Sequence, residues 1–347
     1  MITPPGCTKI SGYREMNMQL HENLLELVGH TPLVRLRTGI PDSGPRAYVK
    51  LEFLNPTGSV KDRMVLHVVQ KAMREGRLHA GDTIVDNTSG NTGVSMGMVA
   101  ALTGLKAVIV TPQKTSQEKV DLIRSYGAEV IVTPTEAGHH DPEGCYMVAR
   151  RLARERGYFD LDQYDNQVNV EAHYVSTGPE IWDGTDGRVT HFVAGIGTGG
   201  TFSGAARFLK EKNPAIRTIA VDPEGSIFAE YIRTRRVTEG TIYKVEGIGT
   251  DVITKALHPQ YVDEVVTVSD RDSFERARLI ARSEGISAGG SSGSVAVAME
   301  RVAAGLGPNA LLVGIFADGG IRYLSKYFSD QWMRQHGFLP TTEEVKA

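Results

Sequence analysis

Val108-Ile109-Val110-Thr111-Pro112 and Val130-Ile131-Val132-Thr133-Pro134 are one pentapeptide written twice in a chain of 347 residues. Each copy is a β-branched run closed by proline and reads as a strand. Between them Val120 and Ile123 share one side of a helical segment, which Thr115 and Glu118 open as a capping box and Gly127 closes. Strand, helix and strand at this spacing make one βα unit, not a solenoid repeat. The alternation predicts parallel strands joined by crossover helices.

The same alternation extends outward. Upstream lie a short helix over Leu24–Gly29, paired strands at Pro32–Leu36 and Ala47–Leu51, a helix running to about Glu75, and a strand at Thr83–Val85. Val94–Leu102, rich in small residues and Met, reads as a helix buried against a sheet. Downstream the pattern predicts a helix over Pro142–Arg156 and a strand over Tyr158–Tyr164 whose end carries polar groups. A strand at His191–Ala194 follows, then a helix with Phe202, Ala205, Ala206 and Leu209 on one face, and a strand at Thr218–Asp222. Residues 241–268 read as loop plus strand, Phe274–Ser283 and Val295–Ala304 as helices, Leu311–Phe316 as a strand, and the segment after it as a final helix ending near Trp332. Nothing between 19 and 340 reads as a linker, so two interleaved lobes are expected rather than two beads.

A length of 347 residues suits two α/β lobes, and 41% hydrophobic with 23% charged residues is the balance of a globular enzyme. A formal net charge of -3 points away from nucleic acid and anionic membranes and toward small molecules. The only cysteines, Cys7 and Cys145, imply no disulfide framework, and neither a signal-peptide pattern nor a bilayer-length apolar run is present. A cytoplasmic location is expected. Cys7 with His21, or His139-His140-Asp141, could ligate a metal, but a polar tail and a solvated loop account for them. No metal site is expected.

The chemistry concentrates at turns. In Leu51-Glu52-Phe53-Leu54-Asn55-Pro56-Thr57-Gly58-Ser59-Val60-Lys61-Asp62-Arg63 a strand runs through a tight turn into a helix that Ser59 can cap, leaving the Lys61 amine at a strand-to-helix junction. Such an amine either solvates with its charged neighbours or forms a Schiff base with a carbonyl compound. Three glycine-rich loops bear on that choice. Gly195-Ile196-Gly197-Thr198-Gly199-Gly200-Thr201, between a strand and a helix, is a phosphate cradle without the Walker lysine. It also satisfies the dinucleotide fingerprint, with Asp222 ending the next strand, so a nicotinamide oxidoreductase competes. A plain tight turn is the bland account. Thr88-Ser89-Gly90-Asn91-Thr92 gathers hydroxyls, an amide and backbone donors at a helix start, a seat for a carboxylate. Gly289-Gly290-Ser291-Ser292-Gly293 matches the nucleophile-elbow pattern, followed by Asp318 and His336 in hydrolase order, but lacks a strong preceding strand. Ser291 reads instead as opening a helix and offering its hydroxyl to a ligand.

With these pieces in family order, the chain resembles the fold type II pyridoxal-phosphate enzymes of the cysteine synthase and cystathionine β-synthase family, from about Glu22 to Leu339. The resemblance implies the tryptophan synthase β-like fold, α/β with two lobes, each a largely parallel sheet flanked by helices. It divides the chain into a tail (1–18), a larger cofactor-phosphate lobe (19–54 and 164–340), a smaller mobile substrate lobe (55–163) and a C-terminal tail (341–347). Lys61 would carry pyridoxal 5'-phosphate as a Schiff base, Asn91 would bond its 3'-oxygen, and Gly197, Thr198, Gly199, Gly200 and Thr201 its phosphate. Ser291 would meet the ring nitrogen, with Asp318 bordering that side. Thr88, Ser89, Asn91, Thr92 and Gln163 would bind the substrate carboxylate, and Tyr164, Gly247 and Thr250 would complete the substrate site.

The stretches Asp162–Tyr164, Val221–Ser226, Val245–Gly249 and Phe328–Met333 are closer to cystathionine β-synthases, as a bare catalytic core without a regulatory domain. The implied activity is β-replacement on L-serine or an O-activated serine through an aminoacrylate, with homocysteine giving cystathionine. A cysteine synthase-type or amine-accepting enzyme using O-acetylserine or O-phosphoserine is the alternative, and a silent binding relative a further one. A homodimer acting on small amino acids, without nucleic acid or membrane, is the expected assembly. Asp86-Asn87, Thr250 and Phe316–Gly319 depart from the family pattern, which bears on the second substrate and not on the cofactor.

Overall fold

The computed structural model describes residues 20–88, 90–113, 115–138 and 141–340. The tails with Cys7, and Ser89, His139 and His140, lie outside the described residues. In chain order the elements are β1 (Leu33–Leu36), β2 (Arg46–Leu51), α1 (Lys61–Arg74), β3 (Thr83–Asn87), α2 (Asn91–Thr103), β4 (Lys106–Pro112) and α3 (Gln117–Ser125). They continue with β5 (Glu129–Thr133), α4 (Cys145–Arg156), β6 (Phe159–Asp160), α5 (Gln167–Val175), α6 (Thr177–Gly184), β7 (His191–Gly195) and α7 (Gly200–Lys212). The last are β8 (Arg217–Pro223), α8 (Phe228–Thr234), β9 (Glu264–Val268), α9 (Asp270–Glu284), α10 (Gly290–Ala303), β10 (Leu311–Phe316) and α11 (Asp330–Gln335).

The strands form two sheets. The larger runs β1-β2-β10-β7-β8-β9, parallel except for the β1–β2 hairpin, and the smaller runs β5-β4-β3-β6, all parallel. The duplicated pentapeptide supplies β4 and β5, which pair with Val108 opposite Glu129. Side-chain alternation along β7 splits the larger core, with Val193 facing α10 residues Val295 and Met299 while Phe192 and Ala194 face Phe202 and Ala205 of α7. Met64, Val65 and Val68 of α1 and Val94, Met98 and Val99 of α2 pack on Ile84 and Ile109 of the smaller sheet. A Cβ at Gly97 would stand 3.0 Å from that of Tyr126, so the helix approach requires glycine there.

Several local expectations change. α1 starts at Lys61 after Val60, and Ser59 contributes only an acceptor for the Lys61 N–H at 3.3 Å. The capping box is not made: α3 starts at Gln117, and Thr115 Oγ1 pairs with Thr111 Oγ1 at 2.6 Å. Tyr158–Tyr164 contributes two strand residues before turning, and the segment after β10 is a 3-10 turn (Gly320–Tyr323) and the separate α11. Helices α5, α6 and α8 were not foreseen.

The charged start of α1 turns inward. Arg63 donates through Nε to Glu52 Oε2 and through Nη1 to Glu180 Oε1, both at 2.6 Å, and Lys50 Nζ lies 2.6 Å from Glu180 Oε2. Thr31 Oγ1 donates to Glu52 Oε1 at 2.6 Å. Two cations and two carboxylates thus neutralise one another almost wholly out of water, tying β2 and α1 to α6. Asp62, also buried, accepts from the Thr57 N–H at 2.8 Å and from the Thr57 and Ser95 hydroxyls, and burial raises its pKa. Removing one member of the cluster strands its partners, so Glu52→Gln is expected to destabilise the fold by about 3 kcal/mol, read as a shift in the urea unfolding midpoint. Burial pushes the Glu180 carboxyl up, but Arg63 and Lys50 outweigh it and hold it at about 2. Its contribution is therefore complete above the ordinary value of 4.5 and is lost as pH falls through about 2.

Candidate active site

The loops with Thr88 and with Gly197, and the turn with Gln163, leave the carboxyl ends of parallel strands, where open α/β sheets bind ligands. β3 runs into Thr88–Gly90 and α2, β6 into the turn with Gln163, β7 into Ile196–Gly199 and α7, and β10 into Ala317 and Asp318. Lys61, Gly197, Thr198, Gly199, Thr201 and Ser291 line one cavity, with Gly247 and Ile248 beside them.

The Lys61 side chain keeps partial exposure through this cavity. The protein around its amine lowers its pKa by desolvation, and Asp318 opposes that shift. Asp318, 2% exposed, accepts through Oδ2 from Asn91 Nδ2 at 2.8 Å and Tyr323 OH at 2.6 Å, while its Oδ1 and Asn91 Oδ1 are buried without a hydrogen-bond partner. Gln163 links two substrate candidates: its Oε1 accepts from Thr92 Oγ1 and its Nε2 donates to Asn87 O, both at 2.7 Å. The Thr88 N–H donates to Val110 O and its hydroxyl accepts from Gly90 N.

The glycine loop has no room for side chains. A Cβ at Gly197 would stand 2.4 Å from Gly247 O, one at Gly200 2.1 Å from Asn169 Oδ1, and Gly199 has φ +95. Asn169, which the sequence reading passed over, donates to Gln163 O at 2.7 Å and Thr198 Oγ1 at 3.1 Å. Thr254 Oγ1 donates to Thr198 O at 2.7 Å. Behind Thr201, His173 pairs its Nε2 with Thr201 Oγ1 at 3.1 Å and its Nδ1 with Thr177 Oγ1 at 2.8 Å. Burial, with Arg63 and Lys61 near, lowers the His173 pKa well below its usual value, so the ring is neutral. An Asn and a His inside a helix carry no sequence signal of their own, and both were missed.

Thr88, Asn91, Thr92, Gln163, Tyr164, Gly200, Thr250 and Asp318 are not among the residues lining the cavity. Thr250 is locked in a turn, its N–H on Ser226 Oγ at 3.0 Å and its hydroxyl accepting from Val252 N at 3.1 Å. Tyr164 sits edge-on to Tyr146 and accepts at its carbonyl from Ala256 N. Asp222, in β8, accepts through Oδ2 from Ala229 N at the start of α8 at 2.8 Å. The Ser291 pattern lacks its strand, since Ala288 forms only an isolated bridge with Gly319.

One cavity thus brings the desolvated Lys61 amine together with the glycine-lined start of α7. The profile of the family described as pyridoxal-phosphate dependent enzyme matches residues 24–318, and the chain belongs to that family. It is 44% identical to the cystathionine β-synthase of Mus musculus over 327 residues, 93% of this chain and 58% of that protein. It is 39% identical to the cysteine synthase of Staphylococcus aureus strain Mu50 over 305 residues, 88% of this chain and 96% of that one. The solved O-acetylserine dependent cystathionine β-synthase of Helicobacter pylori superposes with TM-score 0.82 at 36% identity, covering 89% of this chain and 99% of that one. The chain spans less than two thirds of the length of the animal enzymes it matches. It is a pyridoxal 5'-phosphate-dependent enzyme.

The cavity fits that cofactor: the loop offers backbone donors where side chains are excluded, and Asn91 and Asp318 keep buried polar atoms without partners. Gly200→Ala, whose methyl would collide with Asn169, is expected to weaken cofactor binding about tenfold or more. Equilibrium dialysis against pyridoxal phosphate reads it, with far-ultraviolet circular dichroism reporting the fold.

Proposed function

We propose that the protein catalyses β-replacement on L-serine or an O-activated serine, with homocysteine as acceptor and cystathionine as product. The observation carrying this reading is the desolvated Lys61 amine opening into the cavity that the glycine loop and Ser291 also line. The greater identity to cystathionine β-synthases supports the choice of acceptor. When bound, the cofactor supplies a conjugated sink for the electron pair released at the substrate Cα.

In this reading the residues of the chain do the rest. Lys61 would hold the cofactor, and its freed amine would take the proton from the substrate Cα and later return it. Burial lowers its pKa below that of a solvated lysine, the direction a general base requires. The N-terminus of α7 and Thr198–Thr201 hold the phosphate. Asn91 would bond the 3'-oxygen, and the Ser291 hydroxyl the ring nitrogen. A neutral hydroxyl there, in place of a carboxylate, does not keep that nitrogen protonated, which favours loss of the β-group over transamination. Thr88, Ser89 and Thr92 seat the α-carboxylate, with Gln163 fixing Thr92 from behind.

The purified protein is expected to show a near-visible absorption band that borohydride abolishes. Lys61→Ala should lack the band and lose about a thousandfold or more in turnover. Assays of serine, O-acetylserine and O-phosphoserine against homocysteine and sulfide test the substrates: cystathionine from homocysteine supports the reading, and cysteine alone from sulfide supports a cysteine synthase.

The α-carboxylate loop stands on the smaller sheet and the phosphate loop on the larger, so a bound amino acid bridges the two. Residues 55–163 should therefore move as a lobe toward the remainder when substrate binds, excluding water from the reacting atoms. Solution X-ray scattering should show a smaller radius of gyration with a serine analogue than without, and identical curves would refute the closure.

A further inference from the structure

Asn169, on α5, is 2% exposed and lies between the two halves of the site. Its Nδ2 donates to Gln163 O at 2.7 Å and to Thr198 Oγ1 at 3.1 Å, so one planar amide holds both. Its Oδ1 faces Gly200, where a Cβ would stand 2.1 Å away, and the loop backbone thereby closes the other side of the amide. Gln163 is anchored to the smaller sheet: its N–H donates to Asp86 Oδ2 at 3.2 Å and its Nε2 to Asn87 O at 2.7 Å. Its Oε1 accepts from Thr92 Oγ1 on α2, also at 2.7 Å. Thr198 stands in the glycine loop between β7 and α7 of the larger sheet, its carbonyl held by Thr254 Oγ1.

The two hydroxyls give this chain of bonds a direction, because each has a single hydrogen to donate. The Thr92 hydrogen lies on Gln163 Oε1, and an anion seated beside Thr92 competes for it. Thr198 accepts from Asn169, so its own hydrogen is left for the cavity it lines. His173, one turn further along α5, pairs instead with Thr201 and Thr177 and stands outside the route.

We propose that Asn169 is a positioning residue that couples the two seats: a carboxylate bound at Thr92 acts through Gln163 and Asn169 on Thr198, which then holds the cofactor phosphate more tightly. This rests on the carboxylate and phosphate seats proposed above and adds that each acts on the other. An anion that takes the Thr92 hydrogen leaves Gln163 tied to β3 but no longer to α2. The Asn169 amide, released in part from Gln163, moves toward its more distant partner, the Thr198 hydroxyl. A hydroxyl that accepts a shorter bond donates a stronger one. By linkage, the loaded phosphate seat strengthens binding at the carboxylate seat by the same factor.

The test uses the cofactor-loaded protein and 3-hydroxypropionate, which is serine without its amine and so fills the carboxylate seat without reacting with the cofactor carbonyl. Equilibrium dialysis should show pyridoxal phosphate bound about fivefold or more tightly at saturating 3-hydroxypropionate. The phosphorus resonance of the bound cofactor should move along the same titration. In Asn169→Ala the tightening should fall below about twofold and the resonance should stay still. Thr198→Val, which keeps the shape of the side chain, should lose both responses as well and carries the test if Asn169→Ala does not fold. His173→Gln should weaken cofactor binding yet keep the wild-type response. Cofactor binding that 3-hydroxypropionate leaves unchanged or weakens in the wild type overturns the inference and leaves the seats standing, as does a full response in Asn169→Ala or Thr198→Val. Loss of the response in His173→Gln overturns it in favour of a general loosening of the loop. If 3-hydroxypropionate does not compete with serine for the serine-induced change in cofactor absorption, the carboxylate seat itself falls, and the inference with it.

Discussion

Keeping a lysine amine out of water without a full counterion is the constraint on which the structure turns. Lys61 is the first residue of α1, so its position is set by whatever fixes the end of β2 and the start of that helix. The fixing groups flank it on both sides. Asp62 gathers the Thr57 turn and Ser95 of α2, and Arg63 lies between Glu52 and Glu180. The charges near the amine are thereby spent on one another, and Asp318, shared between Asn91 and Tyr323, is the one that acts on it directly. An amine in that field loses its proton at a lower pH than a solvated one, which is the property a general base requires.

The second consequence is a division of labour between sheets. The glycine loop and Ser291 belong to helices packed on the six-stranded sheet, while Thr88–Thr92 follows the four-stranded one. Gln163, at the end of the smaller sheet, bonds Thr92, and Asn169 ties the Gln163 carbonyl to Thr198 of the phosphate loop. The two halves of the site are thus linked by a short chain of polar groups.

Legibility in the sequence followed the physics of each signal. The glycine loops were readable because close backbone approach leaves few alternatives: a methyl at Gly197 or Gly200 meets carbonyl or amide oxygen at once. Strands β4 and β10 were readable because a buried parallel strand is a continuous apolar run. α5 was not, because its buried side carries Asn169 and His173 among Val170 and Ala172, so no apolar stripe marks it. The capping box failed because Thr115 had a better partner in Thr111, and the tail helix failed because Tyr323 and Tyr327 pack inward and break it in two. Thr250 was placed at the site by likeness alone, while its hydrogen bonds commit it to the Ser226 turn.

The sequence by itself determined the order of the strands, the helices with a clear apolar face and the three loops, since periodicity and glycine placement are local properties of the chain. Only the tertiary structure decided that Asp62 and Arg63 at the start of α1 are buried and paired, and that Asp318 is the charge acting on Lys61. The partners, Glu180, Ser95 and Asp318, lie 117, 33 and 227 to 257 residues away along the chain from the residues they bind or face. The state of an ionisable group depends on the charges and solvent that folding brings around it, and no local pattern encodes those.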